Sequence, residues 1–187
     1  MAGRGALKFA KRLMKEIEAL RSEDLNGAGI ERLGPKSDDD LSNWEAVLSG
    51  RGVGHGYDDE TRRKSSWKLT WNLIPAPGTE GRWLLSIEVP SQYPLQPPKV
   101  TFITQIVHPN VAIPSGEICL DLLKDAWTPQ YTLVEVIKAI RMLLADPGTD
   151  SPLNVDVAAL IREGDAVAAR GLVRLWCRQP EGYYSGP

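Results

Sequence analysis

Three stretches in which apolar and polar residues alternate constrain the fold of this chain most. Trp44, Ala46 and Leu48 alternate with Asn43, Glu45 and Val47. Trp67, Leu69, Trp71 and Leu73 alternate with Lys68, Thr70 and Asn72, and Trp83, Leu85, Ile87 and Val89 repeat the pattern. A period of two places one set of side chains on one face of a strand. Val100 and Phe102 belong to a fourth strand, and Pro75 to Gly81 supply a turn. Short strands joined by turns predict an antiparallel meander with one buried face. Between the third and fourth strands, Pro90, Pro94, Pro97 and Pro98 exclude a helix and a central strand.

Helical spacing frames these strands. Ala6, Phe9, Ala10, Leu13, Met14, Ile17 and Leu20 recur at i, i+3, i+4 and i+7, which predicts an amphipathic helix over 6–20. Thr132 and Glu135 form a capping-box pattern ahead of Leu133, Val136, Ile137, Ile140, Leu143 and Leu144, and Asp146-Pro147-Gly148 ends that helix. Two shorter helices follow, over about 155–163 and from an N-cap at Asp165 to about Cys177. Residues 22–43 read as loop with room for one short strand, 50–66 as a long exposed loop, and 179–187 as a loose tail. The order is helix, four strands, an irregular loop and helices. It predicts an α+β core domain over 1–178, with the loop 50–66 inserted and a tail at 179–187.

Composition removes several function classes. The net charge of −2 argues against nucleic acid as a partner. Two cysteines and two histidines without zinc-site spacing imply neither a disulfide framework nor a bound metal, and favour a reducing compartment. No apolar run approaches the roughly 20 residues of a membrane span. Arg4, Lys8, Lys11, Arg12 and Lys15 without an acid have the composition of a mitochondrial leader, but Glu16 and Glu18 continue the helical pattern and join the segment to the fold.

Residues 105–131 lack a clean period, and a long irregular segment in a compact domain is usually functional. This one holds His108, Asn110 and Cys119, with Gly116 allowing a bend just before the cysteine. A free cysteine is by composition more often a small buried hydrophobe than a nucleophile. Cys177, beside Trp176 on the last helix, fits that description.

Ordered blocks raise the standing of Cys119. His108-Pro109-Asn110, Gly116-Glu117-Ile118-Cys119-Leu120-Asp121 and Trp127-Thr128-Pro129 together resemble the signature of ubiquitin-conjugating enzymes. Tyr93-Pro94 and Pro97-Pro98-Lys99-Val100 match upstream, and Asp146-Pro147 and Ser151-Pro152-Leu153 match downstream, so the resemblance covers about residues 6–177. Asn110 and Cys119 lie nine positions apart, one more than is usual in the family. With Thr149 to Asp156 and Ile161 to Asp165, that spacing resembles the peroxisomal branch, which serves the recycling of an import receptor.

The resemblance implies the following roles. Cys119 accepts ubiquitin as a thioester from the activating enzyme and passes it to an acceptor. Asn110 stabilises the oxyanion or holds the loop, and His108 supports the loop through hydrogen bonds. Many relatives carry an acid where this chain has Ser151, a poor base, which suits a cysteine acceptor better than a lysine. Lys8, Lys11, Arg12 and Lys15 would dock the activating enzyme, and Leu95, Trp127, Pro129 and Gln130 a RING-type ligase. A cytosolic protein recruited to the peroxisomal membrane would need a membrane-anchored peroxin as tether. No organic cofactor is implied. The competing readings are a catalytically silent ubiquitin-binding scaffold, a conjugating enzyme unrelated to peroxisomes, and a cysteine hydrolase using a histidine base.

Overall fold

The computed structural model describes residues 2–54, 57, 80–148 and 150–187, with side chains from residue 7 onward. The elements run α1 (Ala2–Ser22), β1 (Ile30–Ser37), β2 (Asp40–Ser49), β3 (Arg82–Glu88), β4 (Lys99–Phe102), α2 (Leu133–Ala145), α3 (Val155–Arg162) and α4 (Ala166–Trp176). The strands form one antiparallel sheet in the order β1-β2-β3-β4. This is the α+β meander that the alternation predicts.

The meander begins one strand earlier than the pattern suggests. Ile30–Ser37 is a full strand, paired with β2 through a tight turn at Asp38-Asp39. An irregularity between Ile30 and Arg32 breaks the period of two, and Gly34 and Pro35 are poor strand residues. Pro35 is tolerated because β1 lies at the edge of the sheet. The strand expected over Trp67–Leu73, and all of the 50–66 loop except residues 50–54 and 57, lie outside the described residues.

One face of the sheet meets α2. Trp44, Ala46, Leu48, Trp83, Leu85 and Ile87 are fully buried, as are Val136, Ile137, Ile140 and Leu144 of α2. Each such aliphatic side chain contributes about 1.5–3 kcal/mol by leaving water. The capping box at Thr132 and Glu135 is formed as its sequence predicts. Asn154 and Asp165 cap α3 and α4 through their side chains.

The last residues depart from the expected loose tail. A 3-10 turn at Pro180–Gly182 lies against Trp176, and Gln105 N–H donates to Glu181 O at 2.9 Å. Tyr184 N–H then donates to Arg82 O at 2.7 Å, and the Arg82 guanidinium stacks 5.0 Å from the Tyr184 ring centre. Aromatic and backbone contacts of this kind, spread over a segment rich in glycine and proline, leave no periodic signal.

Candidate active site

The irregular segment contains a small hairpin. Val111 bridges Ile118, Ala112 N–H donates to Glu117 O at 2.9 Å, and Cys119 N–H donates to Asn110 O at 2.8 Å. The two sides are joined by Ile113-Pro114-Ser115-Gly116, with Ile113–Pro114 cis and Gly116 at φ 70°. Gly116 is required twice over. Its φ lies in the left-handed region, and a Cβ there would overlap the carbonyl oxygen of Phe102. The returning side of the hairpin pairs with β4 through Thr101 and Glu117, and Phe102 N–H donates to Gly116 O at 2.9 Å. The sheet therefore fixes the chain up to Glu117, two residues before Cys119.

This ladder spans the nine positions from Asn110 to Cys119. Asn110 and Cys119 stand opposite each other, with Cys119 N–H donating to Asn110 O. Cys119 is unpaired and half-buried, whereas Cys177 is buried. Burial pushes the Cys177 thiol up to about 12.

His108 is 1% exposed and engaged at both ring nitrogens. Nε2 lies 3.1 Å from Leu143 O, which only accepts, so this nitrogen carries the proton. Nδ1 accepts the Asn110 backbone N–H at 3.1 Å. The ring thus ties the loop to the end of α2, an arrangement that opposes a role as base toward Cys119 and with it the hydrolase reading.

Asn110 extends the same framework. Its Nδ2 donates to Gly148 O at 2.8 Å, and Gly148 N–H donates to Oδ1 at 2.9 Å. Pro109 O accepts Leu153 N–H at 2.8 Å and Asn154 N–H at 3.0 Å. Gly148 and residues 150–154, which include exposed Asp150 and Ser151, are thereby tied to Pro109 and Asn110 at the cysteine hairpin.

The other residues singled out in the sequence fall into two surfaces. Lys8, Lys11 and Lys15 are exposed along α1. Arg12 differs: its guanidinium turns inward, with Nη1 donating to Pro129 O at 3.0 Å and Nη2 to Tyr131 O at 2.6 Å. Leu95 is 77% exposed, and Pro129 and Gln130 are exposed beside half-buried Trp127. Trp127 Nε1–H donates to Pro94 O at 2.8 Å, which joins the two loops.

Glu16 escaped the sequence reading. It is 2% exposed, and its carboxylate accepts from Arg12 at 2.7 Å, from the Tyr93 hydroxyl at 2.7 Å and from Leu133 N–H at 2.8 Å. Leu133 opens α2, so Glu16 places a negative charge at that helix N-terminus. Burial, together with the Glu16 hydrogen bond, holds the Tyr93 phenol well above its usual range. The available signal was a charge inside the apolar stripe Leu13, Ile17, Leu20.

The family model described as "Ubiquitin-conjugating enzyme" matches residues 12–174. With the meander, the hairpin and the free cysteine, this establishes that the chain belongs to the ubiquitin-conjugating enzyme family, whose members are transferases. Within the family it is related to the peroxisomal Pex4-type enzymes. It is 54% identical over 178 residues to "Ubiquitin-conjugating enzyme E2 PEX4" of Gibberella zeae, covering 95% of this chain and 91% of the relative. It is 38% identical over 170 residues to "Ubiquitin-conjugating enzyme E2 pex4" of Dictyostelium discoideum, covering 91% and 97%. Among solved structures, H. polymorpha Pex4p in complex with the soluble domain of Pex22p matches with a TM-score of 0.74 at 31% identity, covering 90% of this chain and 95% of that one.

Proposed function

We propose that Cys119 is the residue that carries ubiquitin, as a thioester formed by exchange with the activating enzyme's cysteine. In that exchange the Cys119 sulfur attacks the thioester carbonyl, and the activating enzyme's thiol leaves with a proton. In the second exchange an acceptor nucleophile attacks the same carbonyl, and Cys119 leaves as a thiol. A thiol suits both steps because it attacks and leaves readily. The observation that carries this reading is the half-buried, unpaired Cys119 at the end of a hairpin whose other side is Asn110.

Asn110 acts in this reading mainly as a tether. Its amide oxygen and one amide hydrogen are held by Gly148. The second Nδ2 hydrogen is left for a developing oxyanion, a contact worth about 3 kcal/mol where it forms. Ser151, on the tethered segment, offers no carboxylate to deprotonate a lysine. A cysteine acceptor, about two pKa units more acidic than lysine, needs less help. That preference fits the import receptor of peroxisomes as substrate, with the protein held at the cytosolic side of the membrane. No described helix is long and apolar enough to cross a membrane, so recruitment would use a tether. The H. polymorpha complex with the Pex22p soluble domain makes a related peroxin the natural candidate. Exposed Lys8, Lys11 and Lys15 would meet an acidic face of the activating enzyme, and the Leu95 and Trp127–Gln130 loops a RING-type ligase.

The test is incubation with ubiquitin, activating enzyme and ATP. A reductant-sensitive adduct is expected, absent in Cys119→Ser and retained in Cys177→Ser. A reductant-sensitive adduct that survives Cys119→Ser, or none with the unaltered chain, overturns the reading.

A further inference from the structure

Arg12 sits between exposed lysines on α1 yet reaches away from solvent. Its Nε donates to Glu16 at 2.7 Å, Nη1 to Pro129 O at 3.0 Å, and Nη2 to Tyr131 O at 2.6 Å and the Tyr93 hydroxyl at 3.3 Å. The guanidinium carbon lies 5.2 Å from the Tyr93 ring centre. The two carbonyls belong to the loop presenting Pro129 and Gln130, and the phenol to the loop presenting Leu95. Glu16 accepts from Tyr93 and from the first N–H of α2, and Trp127 closes the circuit onto Pro94. One side chain of α1 therefore holds both loops.

We propose that Arg12 is a positioning residue for ligase-dependent transfer: with Glu16 and Tyr93 it fixes Leu95 and Pro129-Gln130 at one spacing, so that a RING-type domain meets a preformed surface. The proposal rests on the ligase reading of those loops. The Thr128–Tyr131 stretch is a turn closed by Tyr131 N–H donating to Thr128 O at 3.1 Å, with neither helix nor strand, so its placement against α1 depends on such external bonds. Charge-assisted bonds to backbone carbonyls are the stronger kind. A planar fork reaches two carbonyls and a carboxylate at once, which a lysine ammonium cannot do in the same geometry. A preformed loop spares the partner the ordering cost of binding. Arg12 is accordingly separated in role from Lys8, Lys11 and Lys15, although it shares their helix and their charge.

The experiment starts from purified ubiquitin thioester, which removes loading from the readout. Discharge to free lysine is followed with and without an isolated RING domain that accelerates the unaltered chain. Arg12→Lys keeps the charge and loses the fork; Tyr93→Phe keeps the ring and loses the hydroxyl. The expected result is an increase of about tenfold in the RING concentration for half-maximal stimulation in Arg12→Lys, the equivalent of about 1.4 kcal/mol. A smaller change of the same sign is expected in Tyr93→Phe, with a shifted indole N–H resonance for Trp127 in both. Arg12→Lys with an unaltered half-maximal concentration and an unmoved Trp127 resonance overturns the proposal. Leu95→Ala separates the two layers: if it too leaves the RING response intact, the ligase reading of the loops fails; if it abolishes the response while Arg12→Lys does not, only the positioning role fails.

Discussion

Asn110 and Gly148 exchange two hydrogen bonds, Nδ2 to the Gly148 carbonyl at 2.8 Å and the Gly148 amide to Oδ1 at 2.9 Å. This pairing makes the side chain a mechanical link between the cysteine hairpin and the Ser151 segment. Asn110→Ala leaves Gly148 N–H and C=O without that partner, and stability is expected to fall by about 1–3 kcal/mol, read from urea midpoints. Both loading and discharge should slow. A variant with an unchanged midpoint and normal loading that fails only in discharge would put Asn110 on the oxyanion instead.

Gly116→Ala is expected to be more damaging than its size suggests. The position has φ 70°, and the added methyl would meet the Phe102 carbonyl, whose neighbouring amide bonds Gly116 O. The left-handed backbone alone costs about 1–2 kcal/mol in a residue with a Cβ. Thioester formation should drop with stability, because the bond from Cys119 N–H to Asn110 O depends on the same hairpin. Full loading at wild-type stability would show that the hairpin does not place the sulfur.

These two positions show what was legible beforehand. The sheet could be read where side chains alternate, as in Trp83–Ile87, and α2 where Thr132 and Glu135 announce its start. Cys119 and Asn110 stand out in the sequence through ordered motif blocks. Their relation to each other does not, since it is made of backbone bonds across a turn, which side-chain type does not encode. β1 was obscured by its irregular register and by Pro35. Glu16 was hidden because a carboxylate on an apolar face has meaning only once Arg12, Tyr93 and Leu133 are seen around it.

Replacing Ser151 by an acid tests the acceptor preference. Ser151→Asp places a carboxylate at position 151 itself, beside the existing Asp150, and discharge to free lysine is expected to rise by about tenfold, short of the roughly hundredfold or more of a fully positioned general base. Discharge to free cysteine should change little, because a thiol ionises more readily. Fast lysine discharge by the unaltered chain would remove the basis for the prediction.

Cys177 predicts a pH dependence at the alkaline end. Its thiol is pushed up to about 12 by burial, from an ordinary 9.0. Between those values the unfolded chain gives up its proton while the folded chain keeps it, so stability falls as pH rises through that window. The contribution is at most about 1.4 kcal/mol per pH unit. Tyr57 acts in the same direction, its phenol raised by burial and by nearby Cys177. Urea midpoints taken from pH 8 upward should decline more steeply in the unaltered chain than in Cys177→Ala. Parallel profiles would show that this thiol is not shielded.

The hairpin between Asn110 and Cys119 has a consequence for chain length. Its two sides are held in register by the bridge from Val111 to Ile118 and by the pairing of Glu117 with Thr101. The connection around Ile113 to Ser115 lies on the outside of that register and is exposed. Insertions or deletions there can lengthen or shorten the peptide between the two motifs while the sulfur stays where it was. The length of that connection is thereby uncoupled from the position of the nucleophile.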